Sequence, residues 1–238
     1  EQIFETYNNV RSSGFENVNC DLIYSTPNQT WKMWAQDLKT IIKMEPEHIS
    51  AYTLTVEKGT ELFSMVYNNT ISMPSDEQES NWFLKTHDIL SINGYQPYEV
   101  SNFSKSGFEC RHNVHYWDID PYLAFGPSAH GFDGIHRWNN VRSIDKYMER
   151  IKAGKSPISK IEKIKLFDYL NELIGFGLRM RKGINMNMIP NDQKKEFENK
   201  MILAKQRYQD CFQHANGIFS LTKKGMLYSD KIIPELLF

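Results

Sequence analysis

The sequence predicts an α/β protein that passes, toward its C-terminus, into a helical, winged-helix-like module. Three observations carry this. Over residues 1–56 helical and strand patterns alternate with short connections, as in parallel strands with covering helices. Apolar residues make up 40% of the 238, enough for a packed core. After "KSPIS" the chain turns to long helical patterns and closes on a short β element.

The elements follow in order. Ile3, Phe4, Tyr7 and Val10 share one helical face in residues 1–13, and Gly14 is placed to close it. "VNCDLIYST" predicts a short buried strand. Thr30 is placed to cap a helix carrying Trp31, Trp34, Leu38, Ile41 and Ile42, which Pro46 stops. "HISAYTLTVE", rich in β-branched and aromatic residues, is the next strand. "EKGTELFSMVYNNTISMPSD" predicts an irregular excursion, and residues 76–91 a helix with the stripe Trp82, Phe83, Thr86, Ile89 and Leu90. "NGYQPYEVSNFS" predicts a turn and a strand, and "GIHRWNNV" another strand. Ser143 is placed to cap a helix running to about Arg150. Residues 160–181 predict one long helix on the recurrence of Ile161, Ile164, Phe167, Leu170 and Leu178. A helix over 191–214 and a strand, turn and helix at the end complete the pattern, which divides into domains 1–157 and 158–238.

Formal net charge is −1, so no global field drives the chain onto nucleic acid or anionic lipid. The basic residues near the end (Lys194, Lys195, Lys200, Lys205, Arg207, Lys223, Lys224) alternate with acids, as a solvated face does. No apolar run approaches the ~20 residues of a membrane span. No secretory signal opens the chain, which begins inside a helical pattern, so a segment upstream is expected. Cys20, Cys110 and Cys211 are far apart with no C-x-x-C pair, which argues against a thiolate zinc site or cluster. Free thiols suit a reducing, cytoplasmic setting.

The densest chemistry lies in "CRHNVHYWDIDPYLAFGPSAHG", residues 110–131. It holds His112, His115 and His130, three of the seven histidines, with Tyr116, Trp117, Tyr122 and Phe125. Imidazole is a metal and haem-iron ligand, and Tyr and Trp offer flat faces. The residues alone leave open a metal site, an acid–base centre, an aromatic pocket and a structural loop. His115 is expected to face solvent. His130 sits among small residues that allow close approach by a ligand or strand. Glu109 and Arg111 are expected to pair locally, and arginine has the geometry to meet a propionate.

The strings "DLIYSTPNQT", "HISAYTLTVEKGT", "YEVSNFS", "CRHNVHYW", "YLAFGPSAHG" and "RWNN" occur in one order. Together they resemble the radical S-adenosylmethionine (SAM) family of oxygen-independent coproporphyrinogen III oxidase-like dehydrogenases and their haem-chaperone relatives. The resemblance covers nearly the whole chain, and "LTKKGMLYSDKIIPEL" is similar to the family's closing module. His112, Asn113, Tyr116 and Trp117 match an HNxxYW string that points to the haem-chaperone branch.

The resemblance implies the C-terminal part of a (β/α)6 partial barrel, with "DLIY" and "HISAYTLT" as its fifth and sixth strands, followed by a winged-helix-like domain. It implies SAM contacts at Asp21 and Thr55. It implies haem or porphyrin contacts at His112, Asn113, Tyr116 and Trp117, with His112 as an iron ligand. The family's C-x3-C-x2-C loop for a [4Fe–4S] cluster is not in this sequence, so the chain alone is expected to be inactive. "STP" stands where relatives often carry Gly-Leu-Pro, which marks a differently shaped loop. The function implied is haem binding and delivery to acceptor proteins. The alternatives are a genuine coproporphyrinogen III dehydrogenase that decarboxylates propionates and, from another class, a non-catalytic winged-helix interaction module. No membrane span and no nucleic-acid partner are expected.

Overall fold

The computed structural model describes residues 1–238. Helix α1 (Gln2–Ser12) leads to β1 (Asn19–Tyr24), and α2 (Trp31–Met44) carries the chain back to β2 (His48–Thr53), parallel to β1. The Thr30 hydroxyl accepts from the Met33 N–H and so starts α2 as the sequence predicts. Next come α3 (Glu61–Tyr67), α4 (Asp76–Ile92), β3 (Gln96–Pro97) and β4 (Asn102–Ser104). Strand β4 runs antiparallel to β2, and the sheet order is β1–β2–β4–β3. The sheet is open: β1 is paired on its β2 side alone.

Helix α5 (Arg111–Trp117) follows, then β5 (His130–Phe132), β6 (His136–Asn140), α6 (Ile144–Lys152) and β7 (Ile158–Lys163). Strands β5, β6 and β7 form a second, antiparallel sheet. The chain ends with α7 (Leu166–Arg179), β8 (Ile184–Asn185), α8 (Asn191–Arg207), β9 (Phe212–Ala215), β10 (Ile218–Leu221), α9 (Lys223–Leu227) and α10 (Ser229–Leu236). Here helices pack on an antiparallel sheet of order β8–β10–β9.

Four expectations are corrected. The excursion after β2 contains α3, capped by the Thr60 hydroxyl on the Phe63 N–H. The helix expected over 160–181 starts at Leu166, because Ile158–Lys163 pairs with β6 and sets Ile161 opposite Trp138. Isoleucines at 158, 161 and 164 mimic a helical repeat, and cross-strand pairing overrides it. The helix expected over 191–214 ends at Arg207, because Phe212–Ala215 forms a hairpin with β10. Asn216 and Gly217 turn that hairpin with φ of 52° and 74°, the positive pair that a tight Asn-Gly turn requires. Finally, β1 is not a buried strand: only Tyr24 is buried, and Asn19, Asp21 and Ile23 are exposed.

Two apolar cores result. One sits between α2, α4 and the first sheet, around Trp34, Leu38, Ile49, Leu90 and Phe103. The other fills the C-terminal module around Leu170, Ile174, Leu178, Phe197 and Phe219. His87 of α4 lies where they meet, its ring 4.3 Å from that of Phe83 and 4.7 Å from that of Phe103. Helix α1 buries no residue and is tied on by polar contacts, Tyr7 Oη donating to the Met44 carbonyl at 2.7 Å and Arg11 pairing with Glu47 at 2.8 Å.

Candidate functional site

Strand register sorts the first sheet into two faces. Asn19 pairs with His48, Asp21 with Ser50, and Ile23 with Tyr52, so these share a face. Across β4 the same face continues through Ser104 and Asn102. His48, Ser50, Asn102 and Ser104 are all buried there despite being polar.

A chain of hydrogen bonds crosses this face. Asn19 Nδ2 donates to Asp21 Oδ1 at 2.8 Å, which leaves Asn19 Oδ1 to accept. His48 Nδ1 lies 2.7 Å from that oxygen, so the ring carries its proton on Nδ1. His48 Nε2 is then the acceptor for the Tyr98 hydroxyl at 2.9 Å. Burial lowers the His48 pKa, in keeping with a neutral ring, and raises that of Tyr98. Asn113 and Cys110, at the start of α5, lie near the Tyr98 hydroxyl. The polar sheet face that begins at Asp21 thus ends close to α5, which carries the HNxxYW residues.

The seven residues of α5 form a short helix, with Val114 N–H on the Cys110 carbonyl at 3.0 Å and Asp118 N–H on Val114 at 2.8 Å. His112 is exposed and has no hydrogen-bond partner in the protein. Its ring meets Tyr116 edge-on at 5.0 Å, and Tyr116 meets Tyr122 at 4.7 Å. Trp117 turns inward against Phe176 of α7 at 5.5 Å. His115 faces solvent, as the sequence suggests, and both its nitrogens meet surface oxygens: Nδ1 is 3.1 Å from Asp120 Oδ2, and Nε2 is 2.7 Å from the Pro121 carbonyl. Both of its nitrogens are engaged within the protein. The expected Glu109–Arg111 pair does not form; neither side chain is in an ion pair.

A cavity of 220 Å³ lies beside α5, lined by Tyr116, Trp117, Tyr122, His130, Phe132 and Arg137. Residues from three separated strings thus converge. Gly131 allows the convergence, because a Cβ there would stand 2.3 Å from the Trp138 ring. Arg137 spends its two terminal nitrogens on Glu172 at 2.5 and 3.0 Å. Its Nε and the Trp117 Nε1 are buried without partners, each at a cost of about 1–3 kcal/mol. Core packing alone gives no reason to keep two orphaned donors here.

The two residues implied for SAM are separated. Asp21 is exposed at mid-strand, with one carboxylate oxygen on Asn19. Thr55 lines a different cavity of 520 Å³ beyond the carboxyl end of β2, with Tyr24, Tyr52 and Arg179. Strand ends of this kind are where open α/β sheets take ligands. The cysteines do not fit a cluster: Cys20 is in β1, Cys110 precedes α5, and Cys211 is in the C-terminal core. No group of three or more His, Cys, Asp or Glu is placed to hold a metal ion. His48 and Tyr98 escaped the sequence reading, since nothing local in "HISAYT" or "PYEV" marks them as partners 50 residues apart.

No family model matches the chain. The heme chaperone HemW of Bacillus subtilis is 26% identical over 239 residues, which cover 100% of this chain and 63% of that protein. HemW of Lactococcus lactis is 30% identical over 230 residues, covering 97% and 57%. The mitochondrial radical S-adenosyl methionine domain-containing protein 1 of Mus musculus is 28% identical over 221 residues, covering 90% and 48%. The chain thus spans about half to three-fifths of the length of these relatives. Among solved structures, coproporphyrinogen III oxidase (HemN) from Escherichia coli, described as a radical SAM enzyme, matches with a TM-score of 0.74 and 19% identity. The match covers 98% of this chain and 58% of HemN, and the two share a fold.

Proposed function

The chain belongs to the HemN/HemW-like family of radical-SAM proteins, and from that premise we propose that it binds haem on helix α5 and passes it to an acceptor protein. One observation carries the reading most directly. His112 is exposed, free at both ring nitrogens, and oriented by its edge contact with Tyr116. A neutral imidazole so placed offers a lone pair to haem iron, while Tyr116 presents an aromatic surface beside it.

Full-length members of the family are read as holding SAM and a [4Fe–4S] cluster, which together supply radical chemistry. The cysteines of this chain do not fit the cluster. Asp21 is suited to accept from a hydroxyl or ammonium of SAM, since one of its oxygens is free.

The test is spectroscopic. His112→Ala should shift the Soret and visible bands of the haem complex, and His115→Ala should leave them in place. An unchanged spectrum in a folded His112→Ala variant would remove the iron ligand from α5. Decarboxylation of coproporphyrinogen III by the whole protein would move it to the dehydrogenase branch.

A further inference from the structure

A second cavity flanks α5, and the proposal above leaves it without a role. Its volume is 790 Å³, within the range of about 300–1,000 Å³ usual for small-molecule sites. Buried Tyr98 and Met180 form the floor. Arg111 and Val114 of α5 make one wall, and Arg181 and Lys182 make the other.

The Arg181–Lys182 wall is fixed to this floor. The Arg181 N–H donates to the Tyr98 carbonyl at 2.9 Å, and Glu99 bridges Met180 in the antiparallel sense. On the α5 side, Asn113 and Cys110 lie near the Tyr98 hydroxyl. Beyond Lys182 the chain turns at Gly183 with φ of 68°, where a Cβ would stand 2.4 Å from the Phe219 carbonyl oxygen. Only glycine fits, so the Arg181–Lys182 wall is held by the backbone.

The charges in the cleft are unequal in availability. The Arg111 guanidinium has no partner in the protein, and Arg181 makes one bond, to Gln96 Oε1 at 3.2 Å. Lys182 pairs with Asp118 outside the lining. Of the two carboxylates present, Asp120 is held by His115, and Glu109 is unpaired. Two guanidiniums with most of their donors unspent thus face an apolar floor, opposed by one free acid. Arginine forks recognise carboxylates in pairs of parallel bonds. The ligand that matches carries carboxylates, as the porphyrin of the reading above does in its propionates.

We infer that this cleft seats the propionate edge of a porphyrin, with Arg111 and Arg181 as the carboxylate-binding residues. The inference rests on the haem reading but not on iron ligation by His112, and a metal-free porphyrin separates the two. Mesoporphyrin IX and its dimethyl ester are titrated into the whole protein and followed by fluorescence. The free acid should bind at least about tenfold more tightly than the ester, a factor typical of a lost charge-assisted contact. An Arg111→Gln/Arg181→Gln variant should lose that preference and bind the acid as weakly as the ester. Both side chains are exposed, so the variant should melt with the unchanged protein. His112→Ala should keep the preference in full. Equal affinity for acid and ester, a preference that survives in the folded double variant, or no binding of either porphyrin overturns the cleft assignment. The His112→Ala haem spectrum then decides the iron site independently.

Discussion

The two faces of the β1–β2–β4 sheet are buried by opposite means. Ile49, Ala51 and Phe103 point toward α2 and α4 and join a dry apolar layer with Trp34, Leu38 and Leu90. His48, Ser50, Asn102 and Ser104 point the other way and are as deeply buried, yet all are polar. The apolar face gains roughly 25 cal/mol for each Å² withdrawn from water. The polar face gains little and must instead satisfy each group it buries. It nearly does so. His48 is bonded at both nitrogens and Asn102 donates to Glu99 at 2.5 Å, but Asn102 Oδ1 has no partner. A sheet face built this way is poorly suited to stability alone. It holds side chains in fixed orientations, and here those side chains lead from Asp21 to α5.

The apolar face should break first and most heavily. Phe103→Ala removes a ring from the first core and should cost about 3–5 kcal/mol in urea unfolding. A loss under about 1 kcal/mol would mean that the layer is not packed as described.

His87 tests the seam between the cores. Burial lowers its pKa from 6.5 to about 4, with the Val100 carbonyl 3.3 Å away opposing the shift. The folded protein resists the proton that the unfolded chain accepts, so stability is complete above pH 6.5 and falls as the pH drops toward 4. The shift corresponds to about 3 kcal/mol across that window. Urea midpoints measured from pH 7 to pH 4 should therefore fall more steeply in the parent than in His87→Gln. Parallel slopes in the two proteins would place His87 in contact with solvent.

The polar face should give the smallest effect. Tyr98→Phe keeps the ring and removes the hydroxyl that donates to His48 and lies near the start of α5. A cost of about 1–3 kcal/mol follows from leaving His48 Nε2 without its donor. Amide exchange of Val114 and His115 should quicken if the hydroxyl steadies α5, and unchanged exchange would detach the helix from the network.

Much of this was readable before folding. Thr30 and Ser143 cap α2 and α6 as expected, since a cap is a bond between residues three apart. The first two strands were visible as β-branched and aromatic runs, and "CRHNVHYW" was visible as a cluster of ligand-type residues. Other features misled because their local pattern fits two structures. Ile158, Ile161 and Ile164 satisfy a helical spacing, and only the presence of β6 alongside makes Ile158–Lys163 a strand. The turn at Asn216–Gly217 was a local signal that the helical expectation for 191–214 passed over.

Composition, caps, strand runs and the ordered strings were determined by the sequence by itself, because each depends on residues close in the chain. Tertiary structure alone decided that His48 meets Tyr98, that the start of α5 comes near Tyr98, and that Arg181 and Arg111 line one cleft. Those partners are joined by strand register and by the docking of α7 against α5, and neither leaves a periodic trace in the residues that it brings together.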